Sequence, residues 1–328
     1  MKTSISGFLT MITFIALVFY GCTKTSDFNS AGNQQQSIIS PSGQHVYGLI
    51  PMTPDQYLNI PLYSKESFQS RLKSALIAPA QGTSYSLATP PVRDQGQIGS
   101  CTAFCGAETD EILYYYFKNK VWPTTVSPAF IYYCERVLIL KQKITADNGA
   151  SMINIPQALQ KYGDCLETTY PYPSSIKSTA YKTAPKSTAF TEALKDTIGQ
   201  AKTDFAMISQ GDVDAVRTLI ANNTPVMLGF NVYDVAAYTL FEGLNTKSYT
   251  YNPLTSSGAL VSGAKLLGGH AVPIVGYDDN FLGTGIGAFK CQNSWGTAWG
   301  NSGFFYMPYS VFKSTTIVSN GSVYYAYL

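Results

Sequence analysis

The sequence predicts an α+β fold in which a helical half is followed by a β-rich half. The first half carries apolar residues at helical spacing, including a helix expected from Ser100 to about Lys118, with Glu108, Asp110 and Glu111 on its polar side. The second half has short β-rich runs bounded by glycines and turns, which are 225–232, 271–277, 289–293 and 303–307. Two such halves pack as two lobes, and the cleft between them is the expected place for a functional site.

A cysteine begins the first predicted helix. A loop rich in proline and glycine ends at Ser100, a residue favoured as a helix N-cap, and Cys101 follows it. The unpaired N–H groups and the positive end of the helix dipole favour a thiolate at this position. A lone cysteine of this kind is more often a small buried apolar residue. The amide of Gln95, together with the Cys101 N–H, would supply two donors for an oxyanion, and this favours a nucleophile.

Candidates for a base are few, because the chain has only two histidines. His45 lies in a polar stretch without apolar periodicity, so we expect a solvated linker residue. His270 begins a β-branched apolar run and would lie at the mouth of a buried strand, either as a satisfied core residue or as the base. Asn293 is the candidate for orienting the imidazole, and Trp295 would shield that hydrogen bond from water.

Three motifs together resemble the papain-like cysteine peptidases, and the bacterial members most of all. They are Q-G-Q-I-G-S-C, G-G-H-A-V-P-I-V-G-Y and N-S-W-G-T-A-W-G, in the order of the family, and the resemblance covers roughly residues 87–309. It implies a two-lobed papain-like fold and a peptidase that forms an acyl-enzyme. The implied roles are nucleophile for Cys101, base for His270, orienting residue for Asn293 and oxyanion donor for Gln95.

The chain departs from the family pattern beside the nucleophile. Ile98 stands where the family has a disulfide cysteine, and Thr102 stands where it has an aromatic residue. The partners also follow Cys101 at a longer spacing than the about 130–150 residues usual in the family, which surface-loop insertions would explain. No catalytic group is lost.

The resemblance also implies a set of substrate-binding residues. They are Gly149, Ala150, Met152, Gly229, Gly268, Gly269 and Trp295. Gly149 and Ala150 would present backbone groups to an extended peptide. Glycines at two walls of the side-chain pocket and Met152 at a third imply an apolar, open pocket without a charge to select Arg or Lys.

The N-terminus is typical of an exported protein. Residues 1–21 form a short apolar signal peptide after Lys2, and Gly21 before Cys22 resembles a lipoprotein signal in which lipid is attached to Cys22. The alternative is an ordinary secretory signal. Residues 22–46 are then expected to be a flexible tether. The sequence therefore predicts a lipid-anchored protein of the bacterial cell envelope, periplasmic or at the surface, or else a secreted protein.

The next two segments complete the predicted organisation. Residues 47–86 form an N-terminal belt or a short inhibitory pro-segment, and a helix is indicated by the spacing of Phe68, Leu72 and Leu76. Residues 87–328 form the catalytic domain.

The remaining cysteines are assigned structural roles. By resemblance, Cys134 falls at a disulfide position, and Cys165 is its possible partner. Cys105 and Cys291 are expected to be buried thiols. With one candidate histidine and no C-x-x-C motif, we expect no metal and no cofactor.

Composition and charge narrow the function classes. The net charge is +2, and without a basic cluster or a phosphate-binding glycine loop we expect no nucleic-acid partner. Peptide or protein substrates, a membrane contact through the lipid and a monomeric state are expected. Two alternatives to hydrolysis remain open, namely a catalytically silent papain-fold protein that binds peptides or partners, and a transpeptidase or acyltransferase that uses the same groups.

Overall fold

The computed structural model describes most of the chain after residue 37. The described residues are 38–40, 42–43, 45–119, 125–173, 180–195, 205–235, 240–244, 248–281 and 283–327. They belong to one compact unit, residues 35–328. Among them, no helix combines the length and the apolar character needed to cross a bilayer. The predicted signal peptide, Cys22 and most of the predicted tether lie outside the described residues.

The helices lie mostly in the first half of the chain, as predicted. The α-helices are α1 (Pro54–Tyr57), α2 (Lys65–Arg71), α3 (Cys101–Tyr114), α4 (Pro128–Tyr133), α5 (Asn154–Tyr162), α6 (Ser187–Ala193), α7 (Val213–Ala221) and α8 (Tyr309–Phe312). Helices α3 and α4 each continue into a wider π-helical turn, at Tyr115–Asn119 and Cys134–Ile139. Ser127 accepts the N–H of Phe130 and so caps α4.

The strands form a hairpin near the N-terminus and one large sheet. They are β1 (Ile38–Ile39), β2 (Val46–Tyr47), β3 (Ser84–Ser86), β4 (Phe205–Met207), β5 (Val226–Asp234), β6 (Lys265–Phe281), β7 (Ile286–Gln292), β8 (Phe304–Pro308) and β9 (Val323–Ala326). The sheet order is β4-β9-β5-β6-β7-β8, and β3 also pairs with β6. Every pairing is antiparallel, and each of the four β-rich runs predicted from the sequence falls within or overlaps one of β5 to β8.

Helix α3 lies between two apolar cores and packs on β6. Its residues 101–113 are all buried, which contradicts the polar side expected for Glu108, Asp110 and Glu111. Burial raises the pKa of Glu108 to about 8 and that of Glu111 to about 7, although the nearby Arg93 opposes both shifts. Arg93 pairs with Glu111 at 3.2 Å. The sequence pattern misled because it does not reveal the distant residues that cover this face, among them Arg93 and Val126 at Glu111 and Gln292 at Glu108.

The predicted N-terminal belt packs against the catalytic lobes. Phe68 of α2 is fully buried and lies edge-on to Tyr325, while β3 joins the main sheet. Helix α2 is shorter than the spacing indicated, because Leu72 already has an extended backbone. The belt is held by core contacts and by strand pairing, so its structure depends on the domain.

Candidate active site

The predicted nucleophile lies at the first position of α3. Ser100 occupies the N-cap position, but its hydroxyl pairs with the hydroxyl of Tyr172 at 2.6 Å and caps no backbone group. The Cys101 side chain is fully buried. Burial raises the pKa of the thiol to about 12, outweighing backbone hydrogen bonds from Gly48, Ala271 and Thr102 that lower it. The thiolate expected from the helix position is therefore disfavoured in this state, because water is excluded from the sulfur.

The predicted base and its orienting residue are joined by a hydrogen bond. His270 lies on β6 and Asn293 directly follows β7, and 2.7 Å separates His270 Nε2 from Asn293 Oδ1. That amide oxygen also accepts the N–H of Ser294 at 2.8 Å, which identifies it as the acceptor. The proton therefore lies on Nε2, and Nδ1 is the basic nitrogen.

Nδ1 has no hydrogen-bond partner among the described residues, and the imidazole is enclosed by aromatic rings. The Trp295 centroid lies 5.2 Å from the imidazole, which agrees with the shielding role predicted for it, and Phe230 and Phe241 each lie at 5.8 Å. Burial lowers the pKa of His270 to about 4, although the bond to Asn293 opposes this shift. In this state a neutral imidazole accompanies a neutral thiol.

The predicted oxyanion donor is already bound to a carbonyl group. Gln95 Nε2 donates to the carbonyl oxygens of Val46 at 2.9 Å and Ile98 at 3.0 Å. Its Oε1 accepts the hydroxyl of Ser294 at 2.7 Å, and its backbone N–H donates to Ser294 O at 2.9 Å. Ser294 thus holds both Gln95 and the Asn293 amide. Sequence reasoning gave Ser294 no role, although it stands beside Asn293 in the motif.

Residues 45–50, which we call the cleft segment, run between the two lobes. Ala150 N donates to Gly48 O at 3.0 Å, and Ile50 N donates to Ala150 O at 2.8 Å. On the opposite wall, Leu49 N donates to Gly269 O at 3.1 Å. Leu49 thereby bridges Ala150 in parallel and Gly269 in antiparallel orientation. The segment is bound as an added strand, in the manner of an extended peptide.

The cleft segment fits only because glycines line its path. A Cβ at Gly48 would lie 1.9 Å from the carbonyl oxygen of Gly99, and a Cβ at Gly149 would lie 1.8 Å from Gly48 O. At Gly268 a Cβ would lie 2.7 Å from Tyr47 Cβ, and at Gly229 it would lie 2.9 Å from Leu49 Cδ2 and 2.6 Å from Met152 Cγ. The structure brings the predicted substrate-binding residues together along this segment. It leaves a cavity of only about 70 Å³ beside Leu49 and Met152.

His45 anchors the beginning of the cleft segment. Its ring stacks on Trp295 with centroids 4.4 Å apart and an interplanar angle of 8°, and its Nε2 lies 3.5 Å from Asp94 Oδ1. Burial would raise the pKa of Asp94, but hydrogen bonds from His45 and Gly96 lower it. The expectation that His45 is a solvated linker residue is wrong. Its partners lie far along the chain, so no local pattern could have indicated them.

The other four cysteines that the structure describes are buried. Cys134 and Cys165 are free thiols, so the possible disulfide between them is not formed. Cys105 and Cys291 are free and buried, as expected. Within the described part of the chain, no cluster of His, Cys, Asp or Glu side chains has the arrangement of a metal site.

Comparison with known proteins identifies the family. The family model described as papain family cysteine protease matches residues 82–325, which is most of the chain. The chain belongs to the papain family of cysteine proteases. The cysteine-type peptidase activity and the α+β papain-like fold predicted from the sequence are thereby confirmed.

Individual relatives agree with this placement. The chain is 28% identical over 239 residues to an uncharacterised peptidase C1-like protein of Acanthamoeba polyphaga mimivirus, covering 69% of this chain and 67% of the other. It is 25% identical to cysteine proteinase 3 of Entamoeba histolytica, covering 77% and 72%. Among solved structures, xylellain, a cysteine protease from Xylella fastidiosa, superposes with a TM-score of 0.65 at 28% identity, covering 86% and 95%. Procathepsin L 3 of Tenebrio molitor, at 19% identity and a TM-score of 0.55, shares the fold and covers 83% and 75%.

The raised pKa of Cys101 leads to a testable pH dependence. Because the thiol titrates at about 12 in the occupied cleft, we expect iodoacetamide to alkylate Cys101 of the full chain slowly at pH 7. The rate should rise about tenfold per pH unit up to pH 9, following the thiolate fraction. Peptide mass mapping, with Cys101→Ala as the control, locates the adduct. A rate that is already constant below pH 7 would contradict a protonated thiol.

Proposed function

We propose that the chain is an exported cysteine peptidase that hydrolyses peptide bonds through an acyl-enzyme on Cys101, and that the described state is its latent form. The observation that carries this proposal is the cleft segment, which takes the path of an extended peptide and contacts Gln95, Cys101 and His270. Its backbone is bonded to Gln95, Ala150 and Gly269, the groups expected to bind substrate. The groups expected to bind substrate are therefore occupied by the chain's own residues.

The bonding of the cleft segment explains why it is not cut in place. Attack requires one peptide unit to present its carbon to the sulfur and its oxygen to the oxyanion donors. Here Gln95 holds the carbonyl of Val46, whereas the hydrogen bond that reaches Cys101 comes from the backbone of Gly48, two residues further on. The Val46 carbonyl held by Gln95 and the Gly48 group bonded to the sulfur therefore belong to different peptide units. The segment accordingly blocks the site without being positioned for cleavage.

Withdrawal of the cleft segment would readmit water and reduce desolvation on both catalytic groups. The pKa of Cys101 would then fall and that of His270 would rise, so that a proton passes from Sγ to Nδ1. The thiolate attacks the carbonyl carbon of a peptide, with the oxyanion held by Gln95 Nε2 and the Cys101 N–H. The imidazolium then protonates the leaving amine. A water deprotonated by His270 attacks the thioester and releases the acid, which restores the thiol.

The cleft segment also supports an apolar substrate preference. Leu49 lies against Gly229 and Met152, two of the residues predicted to line the side-chain pocket. We find no charged side chain among the described residues of the cavity beside it. Peptides with an apolar residue at the corresponding position are the substrates this surface favours.

We predict that Gly48→Ala in the full chain activates the peptidase. The added methyl cannot be accommodated against the Gly99 carbonyl, so the cleft segment must move out of the cleft. The catalytic residues are unchanged. We expect turnover of a fluorogenic peptide with an apolar residue to rise at least about tenfold, the effect of weakening the bound segment by about 1.4 kcal/mol. Adding Cys101→Ala should abolish it.

Gly82→Ala is the matched control for this prediction. It lies in the same N-terminal region, and a Cβ there meets nothing within 4 Å, so its positive φ costs stability without affecting the cleft. Equal activity of the wild type and Gly48→Ala would contradict latency. An epoxide thiol inhibitor that labels Cys101 of Gly48→Ala, in the absence of any peptide turnover, would instead favour a binding protein.

Export and lipid anchoring follow from the N-terminal sequence alone. We propose that the chain is carried out of the cytoplasm and held in the bacterial cell envelope by lipid on Cys22. A fatty acid supplied during growth should label the wild type, and Cys22→Ala should lose both the label and the membrane fraction. An unlabelled wild type in the culture medium would favour an ordinary secretory signal.

A further inference from the structure

The loop that carries the nucleophile is held to a carboxylate. Ile98 stands in this loop where the family has a disulfide cysteine, so no disulfide starts from this position. The next residue, Gly99, donates its N–H to both oxygens of Asp147, at 3.1 Å to Oδ1 and 3.2 Å to Oδ2. A hydrogen bond from a backbone N–H to a charged carboxylate is stronger than one between neutral groups. Asp147 therefore fixes the backbone two residues before Cys101.

The same carboxylate is connected to the peptide-binding wall. The hydroxyl of Tyr132 donates to Asp147 Oδ1, and the N–H of Gly149 donates to the Tyr132 hydroxyl oxygen at 3.2 Å. Tyr132 is buried, so its hydroxyl depends on these two partners. A continuous series of hydrogen bonds thus runs from Gly99 through Asp147 and Tyr132 to Gly149.

Gly149 is the neighbour of the residue that binds the cleft segment. The N–H and C=O of Ala150 hold Gly48 and Ile50 of that segment. The amide of Gln142 also bonds to the carbonyl of Gly149 at 3.0 Å. The backbone orientation of Gly149 determines the direction of the N–H and C=O groups of Ala150. The series of hydrogen bonds therefore sets the spacing between the nucleophile loop and the backbone at Ala150 that binds the peptide.

Another side chain accounts for the fold of the surrounding loop. Arg136 is fully buried and donates to the carbonyl oxygens of Lys143 at 3.2 Å, Ile144 at 3.1 Å and Ala146. These hydrogen bonds of Arg136 to the loop carbonyls do not include Asp147. Burial raises the pKa of Asp147, and its bonds to Tyr132 and Gly99 and the charges of Arg136 and Lys182 oppose the shift. Asp147 makes no hydrogen bond to Arg136, so a change at Asp147 removes none of these donor bonds, although it weakens the charge interaction between the two side chains.

We propose that Asp147, acting through Tyr132, is a positioning residue that holds the nucleophile loop at a fixed distance from the peptide-binding strand. It takes the place of the disulfide that the family has at the position of Ile98. It acts on peptide binding and alignment, not on the reactivity of the thiol itself. This role rests on the proposed peptidase function, but its consequence for the backbone amides is measurable without any turnover.

The first test measures hydrogen exchange in the full chain. Asp147→Ala should increase exchange at the Gly99 amide, and Tyr132→Phe should do so at the Gly149 amide, each by at least about tenfold. Glu192→Ala is the matched control, because Glu192 also accepts one backbone N–H, from Leu166 at 2.8 Å, and one hydroxyl, from Thr169 at 2.6 Å, away from the cleft. Wild-type protection at both amides in these variants would overturn the proposal.

The second test separates positioning from general destabilisation by kinetics. In the Gly48→Ala background, Asp147→Ala should lower kcat/KM for a peptide by about tenfold, mainly through KM, while the rate of Cys101 alkylation by iodoacetamide changes less than about twofold. Asp147→Asn keeps one acceptor oxygen and should restore most of the loss.

Each outcome of the kinetic test has one meaning. A parallel fall in peptide turnover, alkylation and thermal stability would mean a purely structural role and would overturn the proposal. An active Gly48→Ala background in which Asp147→Ala behaves like Glu192→Ala would also overturn it while leaving the peptidase function intact. If the background turns over no peptide, the peptidase function fails, and the exchange measurement still decides the positioning role.

Discussion

Desolvation of Cys101 and His270 is the physical condition on which the described state depends. Each group is fully buried, and burial drives the thiol and the imidazole toward their neutral forms. Residues brought from the N-terminus complete this burial, since Tyr47 lies edge-on to His270 and Gly48 bonds to the sulfur. Catalytic geometry and catalytic protonation are thus separate properties here. The His270–Asn293 bond is formed, while the charges needed for chemistry are suppressed by the burial that the cleft segment completes.

Small residues make that suppression possible. The cleft segment and the loop before the nucleophile approach so closely that a Cβ at Gly48 would lie within 2 Å of the Gly99 oxygen. Close approach lets both walls bond to the backbone of the segment, which satisfies its polar groups in a dry environment. His45 adds a stacked aromatic contact at one end, worth roughly 0.5–1.5 kcal/mol. The segment is accordingly held by its backbone, by the rings of His45 and Tyr47 and by the packing of Leu49.

The structural settings of the candidate catalytic residues were predictable because each depends on a few neighbouring residues. A cysteine at a helix start, a histidine on a β-branched run and an asparagine two residues before a tryptophan can each be recognised within a few residues, and the strands β5 to β8 follow from their turn-bounded runs. What it did not predict depends on contacts between distant residues. The stack of His45 on Trp295, the burial of Glu108 and the raised pKa of Cys101 all arise when one part of the chain covers another. The local sequence pattern does not indicate burial by distant parts of the chain.

The central claim is that the cleft segment binds where substrate binds, and a synthetic peptide of residues 42–52 tests it most directly. Added to the Gly48→Ala full chain, the natural-sequence peptide should inhibit competitively, raising KM and leaving kcat unchanged. The same peptide carrying alanine at position 48 should inhibit at least about tenfold more weakly, because its methyl meets the Gly99 carbonyl. Equal inhibition by the two peptides, or inhibition that lowers kcat alone, would show that the segment acts elsewhere.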